Sequence, residues 1–179
     1  RFVSAGEDGA VKIWNQGEIV AEADFDGSIT GISRHPSGYL CVGLQNGWAL
    51  LDLNMDVIGN FTGGMQGEVV SSFAMHPDGV VIGCGSTSGH VWIWDVKQQK
   101  AVESLPVGNG TVTSMAFCEN GYYLATACDG NIKIWDLRKL RVHKELNYKD
   151  AVHVCWNPSG HYLAVSTEKD TFVHSASDF

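Results

Sequence analysis

Residues 118–137 read Cys118-Glu119-Asn120-Gly121-Tyr122-Tyr123-Leu124-Ala125-Thr126-Ala127-Cys128-Asp129-Gly130-Asn131-Ile132-Lys133-Ile134-Trp135-Asp136-Leu137. A polar turn at Asn120-Gly121 opens into an apolar run. Asp129-Gly130 makes a second turn, and the next run closes on Trp135-Asp136. Gly in such turns supplies positive φ, and Asn or Asp bonds the nearby backbone, so each turn ends one extended run and starts another. Both runs are short and bounded by turn residues, which reads as strand.

Outward from there the turn recurs as His35-Pro36-Ser37-Gly38, His76-Pro77-Asp78-Gly79 and Asn157-Pro158-Ser159-Gly160. Its glycines, Gly38, Gly79, Gly121 and Gly160, are spaced by 41, 42 and 39 residues. Apolar runs follow each time, and the closing run repeats as Val11-Lys12-Ile13-Trp14 and Val91-Trp92-Ile93-Trp94. Half-alternating strands precede the turns, marked by Ile29 and Ile32, by Val112, Met115 and Phe117, and by Val152 and Val154. A period of about 40 residues is that of four-stranded propeller blades. The predicted fold is therefore all-β, a β-propeller with almost no helix.

The spacing divides the single domain 1–179 into a partial blade over 1–22, full blades over 28–61, 69–105 and 111–146, and a last one over 151–179. A closed ring of this class has about seven blades. The count of about four and a half predicts a piece of a longer protein, with blade faces exposed when isolated. The opening Arg1-Phe2-Val3-Ser4-Ala5, with neither initiator Met nor signal-peptide layout, points the same way.

Composition narrows the function classes. The 179 residues carry 44% hydrophobic residues and 21 glycines, which excludes a disordered tail and favours many turns. A formal net charge of -8 opposes general nucleic-acid binding. No apolar stretch nears the roughly 20 residues that span a bilayer, so no membrane role is expected. Cys41, Cys84, Cys118, Cys128 and Cys155 are odd in number and lack C-x-x-C spacing. They read as reduced, buried small hydrophobes of an intracellular protein.

Ile134-Trp135-Asp136-Leu137 and Ile93-Trp94-Asp95-Val96 resemble the Trp-Asp signature of the WD-repeat family. Departures are present: Asn15 replaces Asp, Leu51-Asp52 replaces Trp-Asp, and the last blade has neither. Gly108-Asn109-Gly110 stands where the family often has Gly-His. The resemblance therefore implies only part of the family's Asp-His-Ser/Thr-Trp hydrogen-bond network, from Asp8 or Asp129 and from Trp14 or Trp135. Residues 119–127 and 133–140, Trp48-Ala49 before Asp52, and His76-Pro77-Asp78-Gly79 leading to Gly83 and Gly85 resemble one branch more closely, the spliceosome-associated U-box ubiquitin ligases. That resemblance implies a nuclear protein and a homotetramer formed through a coiled coil outside these residues. It also implies ligase chemistry in a U-box outside them, and a propeller that captures spliceosomal complex subunits and ubiquitination substrates.

Candidate residues follow from repeat position. Trp14, Trp94 and Trp135 hold the same place in their repeats and read as packing between blades. Asp8 and Asp129 precede Gly in tight turns and read as turn formers rather than acid/base groups. No histidine spacing suits a metal, and no nucleophile or phosphate motif is present, so neither catalytic residue nor cofactor is expected. Trp92, where sister blades carry Lys12 and Lys133, and Trp48, in the irregular blade, are candidate partner anchors. Extra packing between blades competes as their reading. The basic run Arg138-Lys139-Leu140-Arg141 could meet an acidic partner or RNA, or be a solvated turn. Another WD-repeat adaptor, such as a cullin-ligase substrate receptor or trafficking scaffold, and an RNA-binding propeller remain alternatives.

Overall fold

In the computed structural model, which describes residues 1–62, 65 and 67–179, the chain folds into seventeen strands and one short 3-10 turn, Ala176–Asp178. The first sheet holds β1 (Phe2–Ala5), β2 (Ala10–Asn15) and β3 (Glu18–Asp24) in that order. The second holds β4 (Ile29–Arg34), β5 (Leu40–Leu44), β6 (Gly47–Leu51) and β7 (Val57–Thr62). The third holds β8 (Val70–Met75), β9 (Val81–Ser86), β10 (His90–Asp95) and β11 (Lys100–Pro106). A six-stranded sheet follows: β12 (Val112–Phe117), β13 (Tyr123–Cys128), β14 (Gly130–Asp136), β15 (Arg141–Trp156), β16 (Tyr162–Thr167) and β17 (Thr171–Ser175). All pairings are antiparallel meanders with strands in chain order.

These sheets are stacked blades of a partial propeller. The innermost strands β4, β8 and β12 and the second half of β15 lie side by side. Each junction encloses its own apolar cluster. Val11 with Val42 and Leu51 fills the first, and Trp48 with Ile82 and Trp94 the second. Ile93 with Phe117 and Trp135 fills the third, and Ile134 with Trp156 and Leu163 the fourth. The sheets are thus held by faces pressed together rather than by one central core.

The fourth and fifth blades share β15. The spacing leaves 147–150 between blades, yet the strand runs unbroken through it, with a register shift between Gly130↔Ala151 and Ile132↔Leu146. The physical reason is local: no Gly or Pro lies from Arg141 to Trp156, whereas Gly27 and the Pro106–Gly110 stretch interrupt the earlier crossings. Gly130 sits at the pinch, at φ +75°, where an added Cβ would lie 2.3 Å from the Lys149 carbonyl oxygen.

Candidate functional site

In an antiparallel meander, first-to-second and third-to-fourth turns emerge at the same end of a blade. At that end the His-Pro turns make a repeated latch. His35 Nε2 lies 3.0 Å from the carbonyl oxygen of Gly79 in the next blade, and His76 Nε2 lies 2.9 Å from that of Gly121. Cys118 takes the same place in the fourth blade, its thiol donating to the Gly160 carbonyl at 3.7 Å. The histidines excluded as metal ligands by spacing thus tie blade to blade, a role marked in the sequence only by recurrence before Pro. Among the described residues no group of three or more His, Cys, Asp or Glu could hold a metal ion.

The tryptophans of the third strands differ in their polar ends. Trp14 Nε1 donates to Ser4 Oγ at 2.8 Å, and Trp135 Nε1 to Thr126 Oγ1 at 3.3 Å. In the third blade the acceptor's place, two residues beyond the partner Ile82, is held by Cys84, and Trp94 Nε1 has no partner among the described residues. Leu51 with Val42 replaces the pair in the second blade, both fully buried. Asp129 Oδ2 accepts from the backbone N–H of Asn109 at 2.9 Å and of Gly110 at 3.2 Å, supporting the loop where Gly-His was absent. Asp8 Oδ1 accepts from Ala10 N at 3.1 Å within its own turn.

Of the two readings of Trp48, anchor and packing, its burial supports packing. It is fully buried, stacked obliquely on Phe61 with ring centroids 4.1 Å apart and edge-on to Trp94 at 6.4 Å. Its place in β6 aims it into the junction with the third blade, so its ring offers no surface to a partner. Trp92 is half-buried against the same cluster and donates Nε1 to Glu68 Oε2 at 2.9 Å. Cys155 departs from the buried-cysteine expectation: it is exposed, while the other four are buried and all five are free. Burial pushes the Cys41 thiol up to about 12.

The basic run divides in two. Arg138 donates Nε to Asp136 Oδ1 at 3.0 Å and a terminal nitrogen to Oδ2 at 2.8 Å, and its guanidinium lies over the Tyr122 ring at 4.6 Å. The Arg138 bond brings the Asp136 carboxyl down to about 2. Lys139 and Arg141 are exposed and have no ion-pair partner among the described residues.

Arg138 also lines a groove of about 750 Å³ between the third and fourth blades. Val81, Ile93, Val102, Phe117, Tyr122, Leu137 and Leu140 supply its apolar wall, and Asp78, Glu103 and Glu119 stand along it. This concavity, apolar with a few polar groups, suits the capture of a side chain or short segment. Sequence reading named Arg138 only as part of the basic run and missed the groove, because its walls come from residues some sixty positions apart.

The family description "WD domain, G-beta repeat" matches residues 56–95 and 100–136. Pre-mRNA-processing factor 19 homolog 2 of Arabidopsis thaliana is 32% identical over 98% of this chain and 35% of its own length. Pre-mRNA-processing factor 19 of Oryza sativa is 34% identical over 99% of this chain and 36% of its own length. Small ribosomal subunit protein RACK1 of Caenorhabditis elegans is 28% identical over 81% of this chain and 33% of its own. The chain spans about a third of the length of the curated relatives it matches.

Proposed function

This chain belongs to the WD-repeat family, and on that premise we propose that it is the protein-interaction scaffold of a splicing-associated assembly. The observation that carries the reading is 32–34% identity to two pre-mRNA-processing factor 19 proteins over 98–99% of this chain. Stacked blades with a grooved turn end give a rigid surface on which loops hold partners. In this reading the partners are spliceosomal complex subunits and ubiquitination substrates, and the protein is nuclear. The propeller contributes no chemical step. It raises the effective concentration of a substrate near a U-box carried elsewhere in the polypeptide, with tetramerisation through a coiled coil also elsewhere.

The test is affinity purification of the intact protein from nuclear extract, with and without residues 1–179, read by mass spectrometry. Splicing proteins that co-purify and disappear on deletion are its ligands. If no splicing protein appears with either form, the splicing assignment fails and a generic WD-repeat adaptor is left, the reading to which the RACK1 similarity also belongs.

A further inference from the structure

The groove between the third and fourth blades has three properties that together specify an occupant. The first is negative charge without a Lys or Arg against it. Asp78, Glu103 and Glu119 line it; Asp78 Oδ1 lies 2.7 Å from His76 Nδ1, and neither Lys nor Arg pairs with any of the three among the described residues. The one lining guanidinium, Arg138, is spent on Asp136, which lies outside the groove lining. The second is apolar surface left open at the mouth: Tyr122 and Leu140 are each 50% exposed and Val102 46%. The third is the backbone at Leu140. The third-to-fourth turns place a non-glycine residue in the left-handed region in four successive blades: Gln16, Met55, Gln99 and Leu140, at φ 52°, 70°, 57° and 48°. Gln16 and Gln99 are polar and Met55 is buried, so only Leu140 holds a bulky apolar side chain both left-handed and in water. The left-handed backbone belongs to the turn in every blade and costs any residue with a Cβ; what sets Leu140 apart is the apolar side chain left in water there, which marks it as a contact residue.

We infer that this groove binds a short segment of a partner protein that carries an aliphatic or aromatic side chain flanked by Lys or Arg. The apolar side chain lies between Val102, Phe117 and Leu140, and the flanking cations face Glu103 and Glu119. Phosphate backbones are disfavoured by the same three carboxylates. The inference deepens the scaffold reading and rests on it, since it assigns one face of that scaffold its ligand chemistry.

The test uses the intact protein and fluorescein-labelled ten-residue peptides with a central Leu-Phe pair flanked by Lys, by Glu or by Ser, read by fluorescence anisotropy. The Lys-flanked peptide binds best, and its affinity falls as salt rises. The paired substitution Glu103→Lys with Glu119→Lys weakens it at least about fivefold, the size expected of two reversed, partly exposed ion pairs. The same variant gains affinity for the Glu-flanked peptide, a swap that misfolding cannot produce. Leu140→Gly weakens binding while raising stability to urea, because glycine relieves the left-handed strain and removes the contact. Equal binding of all three peptides, no binding of any, or binding unaffected by the paired reversal overturns the assignment. If the peptides fail while splicing proteins still co-purify through residues 1–179, the groove is wrong and the scaffold reading stands. If a single-stranded oligouridylate competes at the groove, the ligand class is wrong.

Discussion

At the scale of single residues, the blades of one chain act as each other's controls. Ser4 and Thr126 accept from Trp14 and Trp135, while Cys84 leaves Trp94 Nε1 buried without an acceptor among the described residues. An orphaned buried donor costs about 1–3 kcal/mol, and a satisfied one contributes about 1 kcal/mol. Cys84→Ser is therefore expected to stabilise the protein by about 1 kcal/mol, and Thr126→Val to destabilise it by about 1–3 kcal/mol. Urea denaturation of the intact protein measures both; a loss of stability in Cys84→Ser would show that packing around sulfur outweighs the restored bond. Asp136 supplies a pH dependence. Its carboxyl lies below its usual value because Arg138 holds the charged form, so the contact favours folding above about pH 4 and is lost as pH falls towards about 2. Arg138→Gln should lower stability at neutral pH, with the gap from wild type closing between about pH 4 and 2. An equal gap at all pH values would mean that Arg138 acts through its stacking on Tyr122 instead.

At the scale of elements, the repeat was legible because turn chemistry and strand composition fall at one period, and strand order followed from the meander. What escaped were features needing two blades at once. The latch from His76 to Gly121 joins residues 45 apart in sequence, so no local pattern announces it. Trp48 left two readings open, rim anchor and packing between blades, because it breaks the Trp-Asp rule; strand alternation and the neighbouring Phe61 and Trp94 give its direction only once the blades are stacked. The continuity of β15 was readable in principle, from the lack of Gly or Pro between Arg141 and Trp156, but the period alone suggested a break. The latch itself carries a prediction. His76→Ala removes a largely buried side chain that bonds the next blade's turn, at a cost of about 1–3 kcal/mol. Hydrogen exchange should quicken around 118–123 more than in the first two blades. A uniform increase would mean that the bond supports the whole stack rather than one junction.

At the scale of the whole molecule, four separate apolar clusters at four junctions make stability a chain of nearest-neighbour terms. A lesion at one junction should then open that junction first and leave distant ones closed. Trp48 is the sharpest place to ask, since it is fully buried at the second junction and contacts Phe61 of its own blade and Trp94 of the next. Trp48→Ala should cost about 3–5 kcal/mol through lost burial and the cavity left behind. Hydrogen exchange measured on the intact protein should rise across 29–106 while 112–136 and 151–175 keep their protection. The same variant separates the two readings of this residue. A packing residue loses stability first and partner binding only as the second and third blades loosen, so added stabilising osmolyte should restore both together. A contact residue would lose partner binding at unchanged urea midpoint, and osmolyte would not bring it back; that pattern would require Trp48 to leave the junction when a partner docks, against its burial between Phe61 and Trp94.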